Sequence, residues 1–385
     1  MQKFSKWLSY VLVAVIASCV TLFLCTCLGV PGSTKLQQLE NLILDRYIGE
    51  AERDAMEDAA AEAMVNAIGD RWSFYMTAAE YQDYQEQMAN AYVGVGVTIS
   101  VREDGHGFDV MQVTKNGPAQ EAGVQAGDII TGIDGKVVSQ IGTDAAREMI
   151  RGEAGTQVKL TVVRGEDTHT LTVTRRSIQM PVATATLLPD RIGLVTIENF
   201  DSRCAEETTA AIEDLRKQGA EALIFDVRYN PGGYVDELVK VLDYLLPEGD
   251  LFRSEDYKGR TEVRKSDADH LDMPMAVLVN GSSYSAAEFF AAALKEYDAA
   301  MIVGEPTTGK GYFQQTYRLS DGSAVNLSVG KYYTPKGVSL ADVGGLIPDM
   351  GEKLNEEMDA KLYADILDPA EDPHIQAAAN ALKSK

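Results

Sequence analysis

The run Met275-Ala276-Val277-Leu278-Val279-Asn280-Gly281-Ser282-Ser283-Tyr284-Ser285-Ala286-Ala287-Glu288 decides how this chain is to be read. Five apolar residues in a row, closed by Asn280-Gly281, imply a buried strand ending in a turn. From Ala286 to about Tyr297 the pattern is helical. The same order recurs upstream: the strand Ala222–Val227, the turn Asn230-Pro231-Gly232-Gly233, then a helix to Leu246. Before these come a strand, Ile192–Ile197, and a helix, Ala205–Lys217. From about residue 182 onward this alternation implies α/β architecture, in which ligands gather at the carboxyl ends of strands.

Residues 92–176 have another rhythm. Short β-patterned runs (Val93–Val101, Phe108–Val113, Val158–Val163, Leu171–Val173) alternate with Gly, Asp and Asn turns, around one short helix at Asp144–Ile150. Residues 35–90 read as helices, with Leu36, Leu39, Ile43 and Tyr47 at helical spacing and Gly69-Asp70 as a stop. At the N-terminus Lys3 and Lys6 precede an uncharged run, Leu8–Val30, and no acidic residue occurs before Glu40. That length suits one bilayer crossing, and the basic flank predicts a cytoplasmic N-terminus. The remainder is then expected outside the cytoplasm of a single-pass membrane protein, in an extracellular or periplasmic space. A cleaved signal peptide is the alternative, disfavoured by the length of the run and the lack of an Ala-x-Ala site. Cys19 follows Ile16-Ala17-Ser18 as in a lipoprotein box, but the apolar residues after it speak against lipidation. The expected domains are 1–31 (transmembrane anchor or signal segment), 32–90 (helical), 91–178 (β-rich module) and 179–385 (α/β core with a C-terminal tail).

Composition excludes several functions. With 35 Lys and Arg against 58 Asp and Glu, the formal net charge of -23 argues against nucleic acid, which demands a basic surface. Cys19, Cys25 and Cys27 lie in the apolar run, leaving Cys204 alone, so no disulfide framework or zinc cluster is expected. His106, His169, His270 and His374 all read as polar, turn-like positions. Neither a metal site nor an organic cofactor is expected.

Ser285-x-x-Glu288 has the form of a capping box, which satisfies free amides of the first helical turn. The same geometry suits a nucleophile, because a serine at a strand-to-helix turn projects from the sheet beside helix N-terminal amides that stabilise an oxyanion. Such a serine needs a base. His270 lies in Asp267-Ala268-Asp269-His270, a solvated loop, and members of a Ser-His-Asp triad meet only in the fold. A lysine serves instead where burial disfavours its ammonium form. Lys310 stands in Gly304-Glu305-Pro306-Thr307-Thr308-Gly309-Lys310-Gly311, after the strand Ala300–Val303. The string approaches a phosphate-binding P-loop, but Gly311 replaces the required Ser or Thr, and the β-like Tyr312–Tyr317 replaces the required helix. Ser328-Val329-Gly330-Lys331 brings its pair together only on a helix, whereas Val325–Val329 reads as a strand. Gln314 lies four residues beyond Lys310, roughly 13 Å away in a straight strand. Contact between them requires a bend, which Gly309 and Gly311 permit. Gly232-Gly233 lets a substrate backbone approach and leaves amides available for an oxyanion.

Together these strings resemble the C-terminal processing peptidases, or tail-specific proteases. The order is the family's: a β-rich module, Asn-Pro-Gly-Gly, Asn-x-x-Ser-x-Ser-x-x-Glu, then Gly-Lys-Gly-x-x-Gln. The resemblance spans roughly residues 35–350 and includes Asp70-Arg71-Trp72-Ser73-Phe74-Tyr75, Tyr332-Tyr333-Thr334-Pro335 and Gly345-Leu346-Ile347-Pro348-Asp349. It implies an α/β peptidase core with an inserted PDZ domain, preceded here by the helical segment and the transmembrane helix. By position, Ser285 matches the family nucleophile, Lys310 its general base and Gln314 the residue orienting that lysine. The amide of Ala286 and one from Gly232 or Gly233 match the oxyanion hole. Where the common family string has Ala and Ser, this chain has Tyr284 and Ala287, which read as local packing changes. Gly94-Val95-Gly96-Val97 resembles the PDZ loop that holds a peptide's terminal carboxylate beside an open strand edge. Gly117-Pro118-Ala119 and Ala126-Gly127-Asp128 fit the same module. Arg151 stands where some relatives couple peptide occupancy to the active site.

The resemblance implies a serine endopeptidase acting on proteins with free, accessible C-terminal tails, without a cofactor. Whether the chain forms a homo-oligomer is left open. Two rivals are a catalytically silent peptide receptor built on the same PDZ module, and a P-loop NTPase.

Overall fold

The computed structural model describes residues 34–383 except 103 and 352, together with positions 13, 15–18 and 20. The apolar run Leu8–Val30 therefore lies mostly outside the described residues; those few of its positions that are described are helical. Among the described residues no helix is long and apolar enough to cross a membrane. The chain divides into two compact units, Met1–Ala78 with Thr316–Leu327, and Ala79–Gln315 with Ser328–Lys385.

In the first unit, the helix Lys35–Arg46 starts at a reciprocal cap. Thr34 Oγ1 accepts from Gln37 N at 3.3 Å, and Gln37 Oε1 accepts from Thr34 N at 3.0 Å. A second helix, Arg53–Asn66, follows, and Gly69 turns the chain at φ 75°. Phe74–Met76, inside the stretch expected to be helical, is instead a strand paired antiparallel with residues 324–326. Three residues are too few to show a period, and their β conformation comes from the partner strand.

The second unit contains the α/β core. Its sheet runs in the order Ala183–Leu188, Ile192–Ile197, Ala222–Asp226, Met275–Val279, Ala300–Gly304; the first pair is antiparallel and the others parallel. Alternate residues serve opposite faces, as the pleat requires. Val195, Phe225 and Val277 meet the helices Cys204–Lys217, Val235–Leu245 and Ala286–Glu296. Leu194, Ile224 and Leu278 meet Ile375, Ala378 and Leu382 of the last helix, Pro373–Leu382. With both faces covered, the four parallel strands are largely apolar, which is why they were legible as runs; the edge strand Ala183–Leu188, largely exposed, was not. The hairpin Gly249–Asp256 with Thr261–Ser266 was not read, because its residues show no clean alternation of apolar and polar side chains.

The β-rich module is a sheet of Val97–Val101, Phe108–Val113, Ile129–Ile133, Gln157–Arg164 and Asp167–Thr174 around Phe108, Ile130, Ile133, Leu160 and Val162. Lys136–Val137 adds to its Ile129–Ile133 strand. The expected single strand Val93–Val101 is two. Ala91–Gly94 pairs with Arg176–Gln179, and Val97 onward pairs with Phe108–Val113. Gly96, at φ 80°, makes the break between them.

Candidate active site

Three strand ends of the core carry the unusual sequences, and hydrogen bonds tie them together. After Met275–Val279, Asn280 Oδ1 accepts from Tyr229 N (3.0 Å) and Ser282 N (3.1 Å), while Ser283 Oγ donates to Val227 O (2.7 Å). The neighbouring turn answers: Asn230 Nδ2 donates to Ile197 O (2.7 Å), and Asn230 O accepts from Tyr284 N (3.3 Å). These buried polar side chains replace the water that loops would otherwise need, and so fix the loops' geometry.

Ser285 stands at the end of this turn, half-buried, as the N-cap of Ala286–Glu296. Its backbone is held at φ 57°, ψ −124°, a region that non-glycine residues rarely adopt. Such strain persists only where surroundings enforce it, and a sharp strand-to-helix turn is the arrangement that presents a nucleophilic serine. The N–H of Ala286, at the first helical position, has no acceptor within the helix. The Asn230-Pro231-Gly232-Gly233 turn reaches this point: a Cβ on Gly232 would lie 2.7 Å from Ala286 N and 2.7 Å from Ser285 Cβ. A side chain there would close the space above the serine. Of the two candidate glycine amides, that of Gly232 donates to Asn230 Oδ1 at 2.8 Å. The N–H of Gly233 meets no protein acceptor among the described residues, which leaves it the available oxyanion donor of the two. Gly233 must be glycine for packing as well, since a Cβ would lie 2.3 Å from Phe200 O.

The buried carboxylate of Glu288 joins the serine turn to the Lys310 loop. Glu288 Oε1 accepts from Thr307 Oγ1 (2.7 Å) and Gly309 N (2.9 Å); Oε2 accepts from Lys310 N (2.8 Å) and Ser285 N (3.2 Å). The capping-box reading is therefore right in form and too small in scope. Glu288 serves both the Ser285 cap and the backbone that carries Lys310. The sequence signal, Ser285-x-x-Glu288, could find the first role but not the second.

Lys310 is half-buried, with its Nζ 5.6 Å from the ring centroid of Tyr284. Tyr284, read from sequence as a packing change, thus faces the lysine. Gly309 (φ 77°) and Gly311 (φ 63°) both adopt left-handed backbone on either side of Lys310, a conformation that allows the chain to turn there. Gln314 Nε2 donates to Tyr312 O and Ser328 Oγ, each at 3.1 Å. With both donor hydrogens used, the group Gln314 can offer an ammonium is Oε1. A strand, Tyr312–Arg318, and not a helix, follows the glycine-rich loop, so the phosphate-loop reading lacks its helix N-terminus.

Tyr332 is a site residue that the sequence flagged only as part of a motif. Its buried hydroxyl accepts from Gly311 N at 3.2 Å. Burial pushes the phenol well above its ordinary pKa, and the Glu288 carboxylate adds to this. The Gly311 amide and the Ser285 side chain, both hydrogen-bonded to it, pull the other way. His270 is exposed and bonds within its own loop, to Ala268 O at 3.2 Å. His374 corrects the expectation of four polar, turn-like histidines. It is buried, with Nδ1 3.4 Å from Arg228 Nη1, in the N-terminal turn of the last helix.

In the β-rich module, Gly94, Val95, Gly96 and Val97 line a cleft of about 670 Å³ together with Ile150 and Arg151. Val95 O and Gly96 O are taken by Ala119 N and Thr114 N. The Arg151 guanidinium is exposed and lies 3.4 Å from Glu148. Asp128 and Arg164 brace the module at 2.7 Å.

Comparison with known proteins agrees with this architecture. The model of peptidase family S41 matches residues 191–351, and a PDZ-domain model matches 110–164. The carboxy-terminal processing protease CtpA of Bacillus subtilis is 32% identical over 337 residues, 84% of this chain and 72% of that protein. A CtpA-like serine protease of Staphylococcus saprophyticus is 31% identical over 78% of this chain, which spans 62% of that protein's length. Among solved structures, the photosystem II D1 C-terminal processing protease superposes with a TM-score of 0.50 at 28% identity, over 89% of this chain and 92% of its own. An S41 protease of Bacteroides fragilis superposes at 0.56 and 17% identity over 92% of this chain and 99% of its own, a likeness of fold. The chain therefore belongs to the C-terminal processing serine peptidases of family S41 and carries the PDZ domain of that group.

Proposed function

We propose that this protein is a membrane-tethered endopeptidase that binds accessible C-terminal tails in its PDZ cleft and cleaves them through Ser285 and Lys310. The observation that carries the reading is the joint between the two residues. Ser285 is strained at a helix N-terminus under Gly232, and Glu288 binds both its amide and the amide of Lys310. Neutral Lys310 takes the hydroxyl proton as Ser285 Oγ attacks the peptide carbonyl carbon. The carbonyl oxygen gathers charge, for which the Ala286 and Gly233 N–H groups are suited donors. Collapse of the tetrahedral species expels the amine, which receives the proton from Lys310, and leaves a Ser285 acyl ester. Water, deprotonated by Lys310, then hydrolyses that ester. Gln314 Oε1 is the group suited to orient the lysine between steps.

In the PDZ domain, a tail is read as an added strand beside Val97–Val101, with its carboxylate at the amides of Gly94–Val97. Arg151, on the rim of the same cleft, is suited to report occupancy. The anchor reading rests on Lys3, Lys6 and the uncharged Leu8–Val30, which would place the catalytic part outside the cytoplasm.

The test is cleavage of an unstructured polypeptide with a free apolar C-terminus by the intact protein, Ser285→Ala and Lys310→Ala. Both variants should bind the tail, stay folded and fail to cut. Full cleavage by either removes the mechanism, and an uncleaved, unlabelled wild-type Ser285 in the presence of a fluorophosphonate would favour a silent receptor. Protease protection of the C-terminal part in sealed, right-side-out membrane preparations would overturn the proposed location.

A further inference from the structure

The PDZ domain is entered through residues 89–91 and left through 179–182, and both segments arrive at one arginine. Ala91–Gly94 and Arg176–Gln179 form a two-stranded ribbon that ends in the Gly94–Val97 loop of the peptide cleft. At its base Met180 N donates to Asn90 O (2.9 Å) and Asn90 Nδ2 to Pro181 O (2.9 Å). There Arg203 Nη2 donates to Ala89 O (3.3 Å) on the way in, to Met180 O (3.0 Å) on the way out, and to Asp201 Oδ2 (2.7 Å). Two hydrogens serve these three acceptors, so their sharing depends on where the ribbon stands. Glu207 supports the same joint: it accepts from Arg203 Nη1 and, through Oε2, from Val182 N (2.6 Å), while Val182 O accepts from Glu198 N (2.8 Å).

The other end of this short segment lies on the oxyanion turn. Asp201 is buried and also takes the Arg203 N–H, on Oδ1 at 2.6 Å, so the two residues are locked together. Its neighbour Phe200 is fully buried; Phe200 N donates to Gly232 O (2.8 Å), and Phe200 O accepts from Tyr234 N (2.7 Å). Gly233 stands between those two bonds. The Phe200 ring rests on Phe290 of the helix that Ser285 caps, with centroids 5.9 Å apart. The run Phe200-Asp201-Ser202-Arg203 thus grips the PDZ ribbon at one end and the turn at the other.

We propose that Arg203 is a positioning residue of the oxyanion turn: it carries the placement of the PDZ ribbon to Gly232-Gly233, so that a tail seated at Gly94–Val97 sets how fast Ser285 is acylated. The inference rests on the acyl-enzyme reading of Ser285. A docked tail adds a strand beside Val97–Val101 and steadies the loop in which the ribbon ends. Arg203 then holds the entering and leaving segments in one place, and Phe200 holds the turn to match. The planar fork of a guanidinium suits this task, because charge-assisted bonds to two carbonyls and a carboxylate fix direction as well as distance.

The experiment measures fluorophosphonate labelling of Ser285 in the full-length protein in detergent, with a short peptide ending in a free apolar residue as the probe. The same peptide with an amidated C-terminus is the control, since it lacks the carboxylate that the PDZ loop takes. In wild type the free acid should speed labelling by about fivefold or more over the amide. Arg203→Gln should bind the acid as tightly as wild type, read by fluorescence anisotropy, yet label at one rate with acid and amide. Arg203→Lys keeps the charge without the fork and should recover only part of the ratio. In wild type, hydrogen exchange at the Phe200 and Tyr234 amides should slow with the acid and not with the amide. Those exchange rates decide if both variants fold poorly. An undiminished acid-to-amide ratio in Arg203→Gln, a loss of peptide binding by it, or unmoved exchange at both amides overturns the inference. Wild-type Ser285 labelled at a rate indifferent to the acid sinks the coupling alone. A serine that stays unlabelled throughout sinks the acyl-enzyme reading, and the role of Arg203 with it.

Discussion

Replacing Glu288 by Gln exchanges one carboxylate oxygen for an NH2 group at almost no change in volume. All four partners of Glu288 donate: Thr307 Oγ1 and Gly309 N to one oxygen, Lys310 N and Ser285 N to the other. The amide can turn either way. If its nitrogen faces Lys310 and Ser285, two buried N–H groups are orphaned. If it faces Thr307 and Gly309, the Gly309 amide is orphaned, and the threonine hydroxyl, which already accepts from Leu346 N at 2.8 Å, can accept the amide N–H only by giving up its own acceptor, a smaller loss than a second orphaned backbone amide. The second orientation wins. One unsatisfied buried amide costs about 1–3 kcal/mol, and the loss of charge assistance in the remaining bonds adds about 1 kcal/mol or more. The expected destabilisation is therefore about 2–4 kcal/mol, measured as a shift of the urea midpoint without a change in slope. The variant should stay folded, because that sum is below the stability of an ordinary domain. Activity should fall by about 100-fold or more, since the backbone of Lys310 loses its fixed place relative to Ser285. A loss under about 0.5 kcal/mol with unchanged cleavage would refute the claim that Glu288 is the joint of the site, because the donor count leaves no neutral way to seat an amide there.

Gly232→Ala should leave a folded protein that no longer acylates, at least about 100-fold slower in fluorophosphonate labelling. Its Cβ would meet Ala286 N and Ser285 Cβ at 2.7 Å from a backbone at φ 90°, so wild-type labelling would contradict the placement of this turn. Asp372→Ala should cost about 3–5 kcal/mol in urea unfolding. It leaves the buried Arg228 guanidinium short of one carboxylate (2.7 Å) and removes the cap of the last helix at His374 N (2.8 Å). Hydrogen exchange should locate the loss in Pro373–Leu382. Asp128 gives a pH signature: burial would raise its pKa, but Arg164 and the Gln125 amide outweigh that and hold it below the ordinary value. A depressed carboxylate contributes stability that is present above its unfolded pKa of about 4 and is lost as pH falls through its folded one. The stability gap between wild type and Asp128→Asn should thus be widest near neutrality and close below pH of about 4; a gap independent of pH would contradict the ion pair.

The local order of the α/β core was legible because its strands are covered on both faces and its turns are marked by Asn, Pro and Gly. Met275–Val279 and Ile192–Ile197 lie where the apolar runs placed them. Phe74–Met76 and Gly249–Asp256 were not legible: the first is β only because a distant strand pairs with it, and the second shows no clean alternation. The left-handed backbone at Gly309 and Gly311 is of the kind that two glycines flanking Lys310 permit. The partners of that loop were not legible.

Ser285, Lys310 and the turn glycines could be named from the sequence because each sits at a strand end in a motif with its own local chemistry. Which glycine amide is spent on Asn230, which carboxylate spans Ser285 and Lys310, and which ring meets the lysine were decided by tertiary structure alone. The physical reason is that hydrogen bonds and ring contacts depend on distances of a few ångströms between residues far apart in the chain. Thr307 and Glu288 are 19 residues apart, Gly311 and Tyr332 are 21, and Arg228 and His374 are 146. Sequence spacing does not encode those separations; the packing of strands and helices around them does.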